Sequence, residues 1–257
     1  MARGRLSRSR RNWQFTDRHW ALVRAKLKEL WSPDEIAGRL RDERRLYISH
    51  ETIYRYIWHD WARGGTLHRF LRGSRKQKRK RYRAYDSRGR LAGKRPIADR
   101  PAGAHNRSRI GHLEGDTMMG SPDQHCIMTM VDRKTGYVFI GKLRERTVRA
   151  ANRCAIRLIR NAHRRTRTIT VDNGTEFHGY KEIEESTGTL IYFATPHHSW
   201  ERGTNENTNG LIRQYLPKRT SMARITQRHC DRIAYQLNHR PRKRLGYRKP
   251  AELYEKL

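Results

Sequence analysis

Cysteine is scarce in this chain, which has only three among its 257 residues. Cys126, Cys154 and Cys230 are odd in number and widely spaced, and no two of them form a CxxC pair. This pattern excludes a disulfide framework and a cysteine-rich zinc site, and it predicts a reducing, cytoplasmic environment. The sequence also has no apolar run near the roughly 20 residues that a membrane-spanning helix needs, so no membrane association is expected.

Acidic residues are also few, with 25 Asp and Glu against 58 Lys and Arg, and the formal net charge is +33. Solubility alone asks for a net charge of only about 2–8 in a small domain. Lys and Arg that neutralise phosphates release condensed counterions, which gives strong and salt-sensitive binding to nucleic acid. The charge balance therefore predicts a nucleic acid as the partner, and a merely basic, soluble surface is the less favoured interpretation.

The N-terminal part of the chain divides into a tail and a helical region. Residues 1–15 are polar and basic, and their composition predicts a disordered tail. Residues 16–71 show helical periodicity and predict a small all-α domain. Ser32 and Ser49 are candidate N-caps, and Pro33 suits the first position of a helix.

The rest of the chain contains a second change in composition. Residues 72–109 are rich in Lys and Arg and almost devoid of apolar residues, which predicts a basic linker that also contacts phosphates. Residues 110–257 contain three strands, a helix, a strand, a short helix, a strand and closing helices. This order predicts the α/β class, with a mixed sheet flanked by helices.

Three acidic residues of the predicted α/β domain suggest a metal site. Asp116 lies in the first strand, Asp172 ends the fourth strand, and Glu206 falls near the start of a helix. Each has an ordinary alternative: a satisfied structural carboxylate, a DNG turn, and a favourable charge at a helix N-terminus, respectively. If the three carboxylates converge, they repel one another unless a cation lies between them. An oxygen-only ligand set favours Mg²⁺ or Mn²⁺, and phosphodiester chemistry commonly uses two such ions.

Several motifs occur in the order that is typical of one family of proteins. They are WSPDEIAGRL, SHETIYRYIW, HLEGDTMMG, TVDNGTEF, SWERGTNENTNGLIRQYLPK and LNHRPRKRLGYRKPAEL. With them the chain resembles bacterial insertion-sequence transposases of the family numbered thirty, which have a retroviral-integrase-type core. The resemblance covers residues 16–257, and it implies a ribonuclease-H-like fold for the core. The 33 residues between Asp172 and Glu206 match the spacing in that family.

The resemblance implies that Asp116, Asp172 and Glu206 form the family's catalytic triad and hold two Mg²⁺ or Mn²⁺ ions. Glu201 is the rival for the third acid, and it ranks lower because NENTNG matches the family's glutamate. Two further acids near the motifs, Asp132 and Glu176, are interpreted as structural or supporting. The predicted DNA contacts near the triad are Asn209, Arg213 and Lys218, and Trp200 is interpreted equally as a half-buried aromatic or a base-stacking residue.

The N-terminal region resembles a helix-turn-helix, in which the early residues of the second helix read base edges. The polar positions that could do so are Ser49, His50, Thr52 and Arg55, whereas Ile53, Tyr54 and Ile57 are predicted to face inward. The alternative is a helical bundle that does not read bases. Members of the resembled family commonly carry another helix-turn-helix before WSPDEIAGRL, for which this sequence has no room, so no residue is assigned to reading terminal repeats.

The predicted function is that of a transposase, which cleaves DNA with the help of metal ions and joins the freed strand to a target. We also expect a homo-oligomer, because two element ends must be joined in one complex, and no nucleotide cofactor. The expected location is the bacterial cytoplasm, in association with the nucleoid. The alternatives are a nuclease of the same fold and a truncated transposase that binds DNA as a non-catalytic repressor.

Overall fold

A computed structural model describes residues 15–73, 93–122, 124–196 and 198–256, without the side chains of residues 199 and 200. The chain divides into two compact units, Met1–Arg75 and Lys76–Leu257. Nearly all of the predicted disordered tail, and residues 74–92 of the predicted linker, lie outside the described residues. In the part that is described, no helix is both long and apolar enough to cross a membrane.

The described part of the N-terminal unit contains three α-helices, α1 (Asp17–Lys28), α2 (Pro33–Asp42) and α3 (His50–Ala62). The predicted caps are present. The Ser32 hydroxyl accepts a hydrogen bond from the backbone of Glu35, whose carboxylate in turn accepts one from the Ser32 backbone at 2.7 Å. These local signals fix where the helices begin, and the prediction of an all-α unit is confirmed.

The apolar core of this unit contains one face of each helix and the segment that follows α3. Its buried members are Val23, Leu27, Trp31, Ile36, Leu40, Leu46, Ile48, Ile53, Ile57 and Leu67. The prediction that Tyr54 faces inward was wrong, because 37% of its surface is exposed. Tyr54 lies one position beyond the buried stripe of α3, and a step of about 100° per residue carries it to the flank of the helix.

The second unit contains a five-stranded sheet in the order β3-β2-β1-β4-β5. Strands β1, β2 and β3 are antiparallel neighbours, and β4 and β5 continue the sheet parallel to β1. The predicted mixed sheet is therefore confirmed. The strands are β1 (His112–Met119), β2 (Cys126–Asp132), β3 (Val138–Leu143), β4 (Thr168–Val171) and β5 (Leu190–Phe193).

Within the described ranges, six α-helices accompany the sheet, together with short 3₁₀ segments. They are α4 (Ala102–His105), α5 (Val148–Arg160), α6 (Tyr180–Thr187), α7 (Gly203–Ile212), α8 (Gln227–Asn238) and α9 (Pro250–Tyr254). Residues of α5 and α6 pack on one face of the sheet, and residues of α7 and α8 pack on the other. Because side chains alternate along a strand, Met128 joins the first core and Ile127 joins the second.

Asp132 stabilises the turn between β2 and β3. One oxygen of its carboxylate accepts hydrogen bonds from the backbone and the hydroxyl of Thr135, and the other accepts one from the backbone of Gly111. Gly136 follows with a φ of +73°, which a side chain would strain. These contacts support the interpretation of Asp132 as a structural acid.

The described end of the predicted linker is not a solvated tether. Residues Ile97–Asp99 form a 3₁₀ turn, Pro96 makes a parallel bridge with Phe193, and Ile97 and Ala104 are buried. Residues 93–109 therefore differ from the linker prediction and pack on the sheet. A few isolated apolar residues within a basic stretch have no periodicity, so composition gave no signal of this packing.

A close contact between β3 and α5 gives a stability prediction. A Cβ added at Gly141 would lie 2.1 Å from the Cys154 sulfur, which is shorter than any real contact. We expect Gly141→Ala to lower the free energy of unfolding by about 1–3 kcal/mol, as overpacking of a core does. Urea denaturation of the full chain measures the change. The double variant Gly141→Ala, Cys154→Ala should recover part of the loss, and equal instability of both variants would contradict this explanation.

Candidate active site

The two aspartates of the predicted site lie at the same level on neighbouring strands. In the parallel pair β1 and β4, Glu114 is opposite Thr170. Asp116 and Asp172 each follow two residues later, so they come next to each other at this end of the sheet. Their side chains retain 24% and 21% of their exposure. The sheet topology thus brings together two acids that are remote in sequence.

The cationic side chain of Arg202 contacts both aspartates. Its guanidinium nitrogens lie 3.4 Å from Asp116 Oδ1 and 3.5 Å from Asp172 Oδ2. Arg202 occupies the N-cap position of α7, and it also donates to the backbone oxygen of Gly115 at 3.4 Å. The sequence analysis did not single out this arginine, because one more basic residue in a chain with 58 carries no signal.

The orientation of Asp116 is fixed by Asn209 on α7. The Asn209 amide donates a hydrogen bond to Asp116 Oδ2 at 2.7 Å, and its oxygen accepts one from Thr129 at 3.2 Å. Burial raises the pKa of Asp116, Arg202 opposes that rise, and the neighbouring charge of Asp172 adds to it. Asn209 was predicted to contact DNA, and in the structure its side chain instead supports the acid pair.

The third predicted acid, Glu206, is exposed in the first turn of α7. Across the described ranges, no three His, Cys, Asp or Glu side chains converge closely enough to hold a metal ion. The structure thus brings Asp116 and Asp172 together but leaves Glu206 in solvent, one helical turn before Asn209. Its rival, Glu201, accepts hydrogen bonds from the backbone and hydroxyl of Thr195 at 2.8 and 3.0 Å, so its carboxylate serves a local turn.

A buried carboxylate, Glu176, lies beside Asp172. A Cβ built at Gly174 would be 2.4 Å from the Glu176 carboxylate and 2.9 Å from Asp172 Oδ1, so both acids flank this glycine. Glu176 accepts hydrogen bonds from Thr117 and Arg146 at 2.5 and 2.8 Å. Burial favours its neutral form, but these donors outweigh burial and the pKa of Glu176 is lowered. Glu176 is thus a paired, supporting acid, as the sequence analysis proposed.

A buried ion pair connects β1 to the start of α7. The Glu114 carboxylate pairs with the guanidinium of Arg133, and its second oxygen accepts a hydrogen bond from the backbone of Asn205 at 2.7 Å. Arg133 also donates to the backbone oxygens of Ala104 and Glu201. This network holds the first turn of the helix that carries Arg202, Glu206 and Asn209, and the sequence analysis missed it.

The remaining predicted DNA contacts of this unit differ in exposure. Arg213 is half-buried and donates to the backbone oxygens of Met119 and Leu216 at 3.2 and 3.4 Å. Burial lowers its pKa. Lys218 is exposed in the turn after α7. The structure therefore places Lys218 on the surface, whereas the donors of Arg213 are already engaged with the backbone.

In the N-terminal unit, the predicted DNA-reading residues lie at the start of α3. Ser49 is the N-cap: its hydroxyl accepts from the Thr52 backbone at 3.1 Å and contacts the Thr52 hydroxyl at 2.9 Å. His50 is exposed, and Arg55 retains 82% of its side-chain exposure. Two large aromatic side chains of the same helix are also exposed, Trp58 at 50% and Trp61 at 57%. The sequence analysis did not assign them a role.

The chain is similar both to a known domain family and to individual proteins. The family model described as "Integrase core domain" matches residues 106–199, which include β1, β4 and both aspartates. The chain is 42% identical over 231 residues to the transposase for insertion sequence element IS4351 of Bacteroides fragilis, covering 90% of this chain and 71% of that protein. The chain belongs to the insertion-sequence transposase family.

Two further relatives and one solved structure are similar. Transposase InsI for insertion sequence element IS30A of Escherichia coli (strain K12) is 38% identical over 250 residues, covering 91% of this chain and 64% of that protein. The transposase for element IS1086 of Cupriavidus metallidurans is 36% identical, covering 91% and 71%. The chain thus spans 64–71% of the length of these relatives. The catalytic core domain of BIV integrase is 18% identical, with a TM-score of 0.43, covering 56% of this chain and 93% of that one.

Membership of this family confirms the predicted resemblance and the ribonuclease-H-like core. Integrase-type cores generally act on DNA with divalent metal ions. The donors at this site are carboxylate oxygens, which are the ligands that Mg²⁺ and Mn²⁺ prefer. The aspartate pair already faces one cationic group, so its chemistry fits a bound cation.

Proposed function

We propose that this chain cleaves DNA at the ends of an insertion sequence and transfers the freed strands to a target. Asp116, Asp172 and Glu206 would hold two Mg²⁺ or Mn²⁺ ions for both steps. The observation that carries the proposal is the convergence of Asp116 and Asp172 on the single guanidinium of Arg202. Two carboxylates at one positive group are what a cation site requires.

The chemistry divides between the ions and the protein. Bound divalent ions would activate the attacking oxygen and stabilise the leaving oxygen of an in-line displacement. The protein contributes fixed ligand positions. Asn209 donates to one oxygen of Asp116, and the backbone of Gly174 donates to Asp172 Oδ1 at 2.9 Å. Because these hydrogen bonds hold the carboxylates in place, the two side chains lose less conformational entropy when ions and DNA bind.

Glu206 is proposed as the third ligand because of its place on α7. It precedes Asn209 by three residues, and residues three apart lie on the same face of a helix. Since Asn209 reaches Asp116, the Glu206 side chain starts from the helix face that is directed toward the acid pair. The buried Glu114–Arg133 pair anchors the turn in which Glu206 lies. A rotation about the side-chain bonds of Glu206 would complete the ligand set.

The proposed substrate is double-stranded DNA, both as element ends and as target. The formal charge of +33 supports electrostatic attraction to phosphates. Lys218 and the exposed residues of α3, His50 and Arg55, are the proposed contacts. We further propose a homo-oligomer, because joining two element ends needs two active sites in one complex, and an association with the bacterial nucleoid.

The experiment is a cleavage and strand-joining assay on duplexes made from the DNA on either side of the gene, where the proposal expects inverted repeats. We expect cleavage with Mg²⁺ or Mn²⁺, loss of cleavage in EDTA, recovery when the metal is restored, and joining of pre-cut ends to a target duplex. Cleavage without joining would instead indicate a nuclease. Binding of DNA without either reaction would indicate a non-catalytic repressor and would contradict the proposal.

A further inference from the structure

The contact of Arg202 with both aspartates is looser than a structural ion pair would be. Its distances of 3.4 and 3.5 Å exceed the roughly 2.7–2.9 Å of a charge-assisted hydrogen bond. The side chain is only 15% exposed, and its Nε atom is buried with no hydrogen-bond partner among the residues that the structure describes. Its hydrogen bonds to the Gly115 backbone and to Asp172 are long, at 3.4 and 3.5 Å, so only weak hydrogen bonds would be lost if Arg202 moved.

The acid pair needs a positive charge whether or not a metal ion is bound. The Asp116 and Asp172 side chains lie next to each other and are only 24% and 21% exposed, so their two negative charges repel each other with little screening by water. The guanidinium supplies one positive charge at 3.4–3.5 Å. A divalent ion supplies two charges at about 2.0–2.1 Å in direct coordination, so it is the stronger partner for the same oxygens.

We propose that Arg202 is the resident counter-ion of the Asp116–Asp172 pair and that a divalent metal ion must displace it to bind. Arg202 is thus a positioning residue: it keeps the two carboxylates converged in the metal-free protein and competes with metal for them. This inference rests on the proposed function, because it takes the aspartates as metal ligands. The new claim is that Arg202 and the metal ion compete for the same two carboxylates.

The sign of one measurement separates this role from a purely structural one. If Arg202 only shaped the site, its removal would disorder the carboxylates and weaken metal binding. If Arg202 competes for the carboxylates, its removal frees them and strengthens metal binding. An interaction of one unit charge at this distance in a partly buried site is worth about tenfold or more in affinity.

The experiment compares Mn²⁺ affinity by isothermal titration calorimetry for the native full chain and four variants, one of which, Asp116→Asn, tests whether the ion binds through Asp116. We expect Arg202→Gln to bind Mn²⁺ about tenfold more tightly than the native chain. Arg149→Gln, which removes an exposed positive charge on α5, should leave the affinity unchanged. Arg202→Lys keeps the charge but cannot fork to two carboxylates, so it should fall between the native chain and Arg202→Gln.

Thermal melting provides a second readout on the same proteins. In EDTA, Arg202→Gln should melt at a lower temperature than the native chain, and its melting temperature should rise more when Mn²⁺ is added. This inference is overturned if both Arg202 variants bind Mn²⁺ no more tightly than the native chain, while Asp116→Asn abolishes binding. That result leaves the proposed function standing. If the Asp116→Asn variant binds Mn²⁺ as tightly as the native chain does, the proposed function is contradicted instead.

Discussion

Replacing Asp116 by asparagine is expected to abolish Mg²⁺-dependent DNA cleavage while the fold is preserved. The variant keeps the size and shape of the side chain, and its amide oxygen can still accept the hydrogen bond from Asn209. It loses the negative charge that would hold the metal. Metal ions contribute several kcal/mol to such reactions, so we expect the cleavage rate to fall on the order of 10³-fold or more.

The same variant should lose activity without losing stability. The pKa of Asp116 is raised by burial and by Asp172, so the charged form is penalised at neutral pH in the folded protein. A neutral side chain removes that penalty, and the free energy of unfolding should stay equal or increase. Loss of activity with unchanged or higher stability is typical of a residue that serves chemistry.

The measurement is single-turnover cleavage of an element-end duplex together with urea denaturation of each protein. Asp99→Asn is the matched control, because Asp99 is an exposed aspartate of the same unit. It should retain the native rate and stability. Native-level cleavage by Asp116→Asn would show that the aspartate pair does not carry the reaction.

Replacing Arg133 by methionine is expected to destabilise the second unit severely. Arg133 and Glu114 retain only 7% and 0% of their side-chain exposure. Removing the cation leaves the Glu114 carboxylate buried without its partner and also frees the backbone oxygen of Ala104. Breaking a buried ion pair from one side costs about 3–5 kcal/mol in the free energy of unfolding.

Two further variants test whether the buried charge is the cause. In the double variant Arg133→Met, Glu114→Gln, the glutamine can still accept the hydrogen bond from the Asn205 backbone but carries no charge. We expect it to recover a substantial part of the loss in urea denaturation followed by circular dichroism. Arg153→Met, on the exposed side of α5, should change the stability by less than about 0.5 kcal/mol. Equal instability of the single and double variants would refute this account of the pair.

The elements of the fold that were predictable from the sequence are those specified by neighbouring residues. Ser32 with Glu35, and Ser49, signal two helix starts within four residues, and the structure contains both caps. The strands followed from short apolar runs between turns. Asp116 and Asp172 were predicted to converge together with Glu206, and the structure brings the two aspartates together because residues at the ends of adjacent strands lie close to each other.

The features that were missed depend on pairing between distant charges. Arg202 reaches Asp116 across 86 positions, and Glu114 pairs with Arg133 from a different strand. In a chain where 32% of residues are charged, sequence cannot tell which arginine meets which acid. Asn209 and Arg213 were predicted to face DNA for the same reason, because a polar residue on a helix face gives no sign of whether its partner is internal.

The most direct test of the central claim is a crystal structure of the chain grown with Mn²⁺, with data collected at the manganese absorption edge. We expect anomalous peaks at about 2.0–2.2 Å from carboxylate oxygens of Asp116 and Asp172, with Glu206 turned inward to complete the ligands and Arg202 displaced. Crystals that bind no Mn²⁺ at these two aspartates, under conditions that support cleavage, would contradict it.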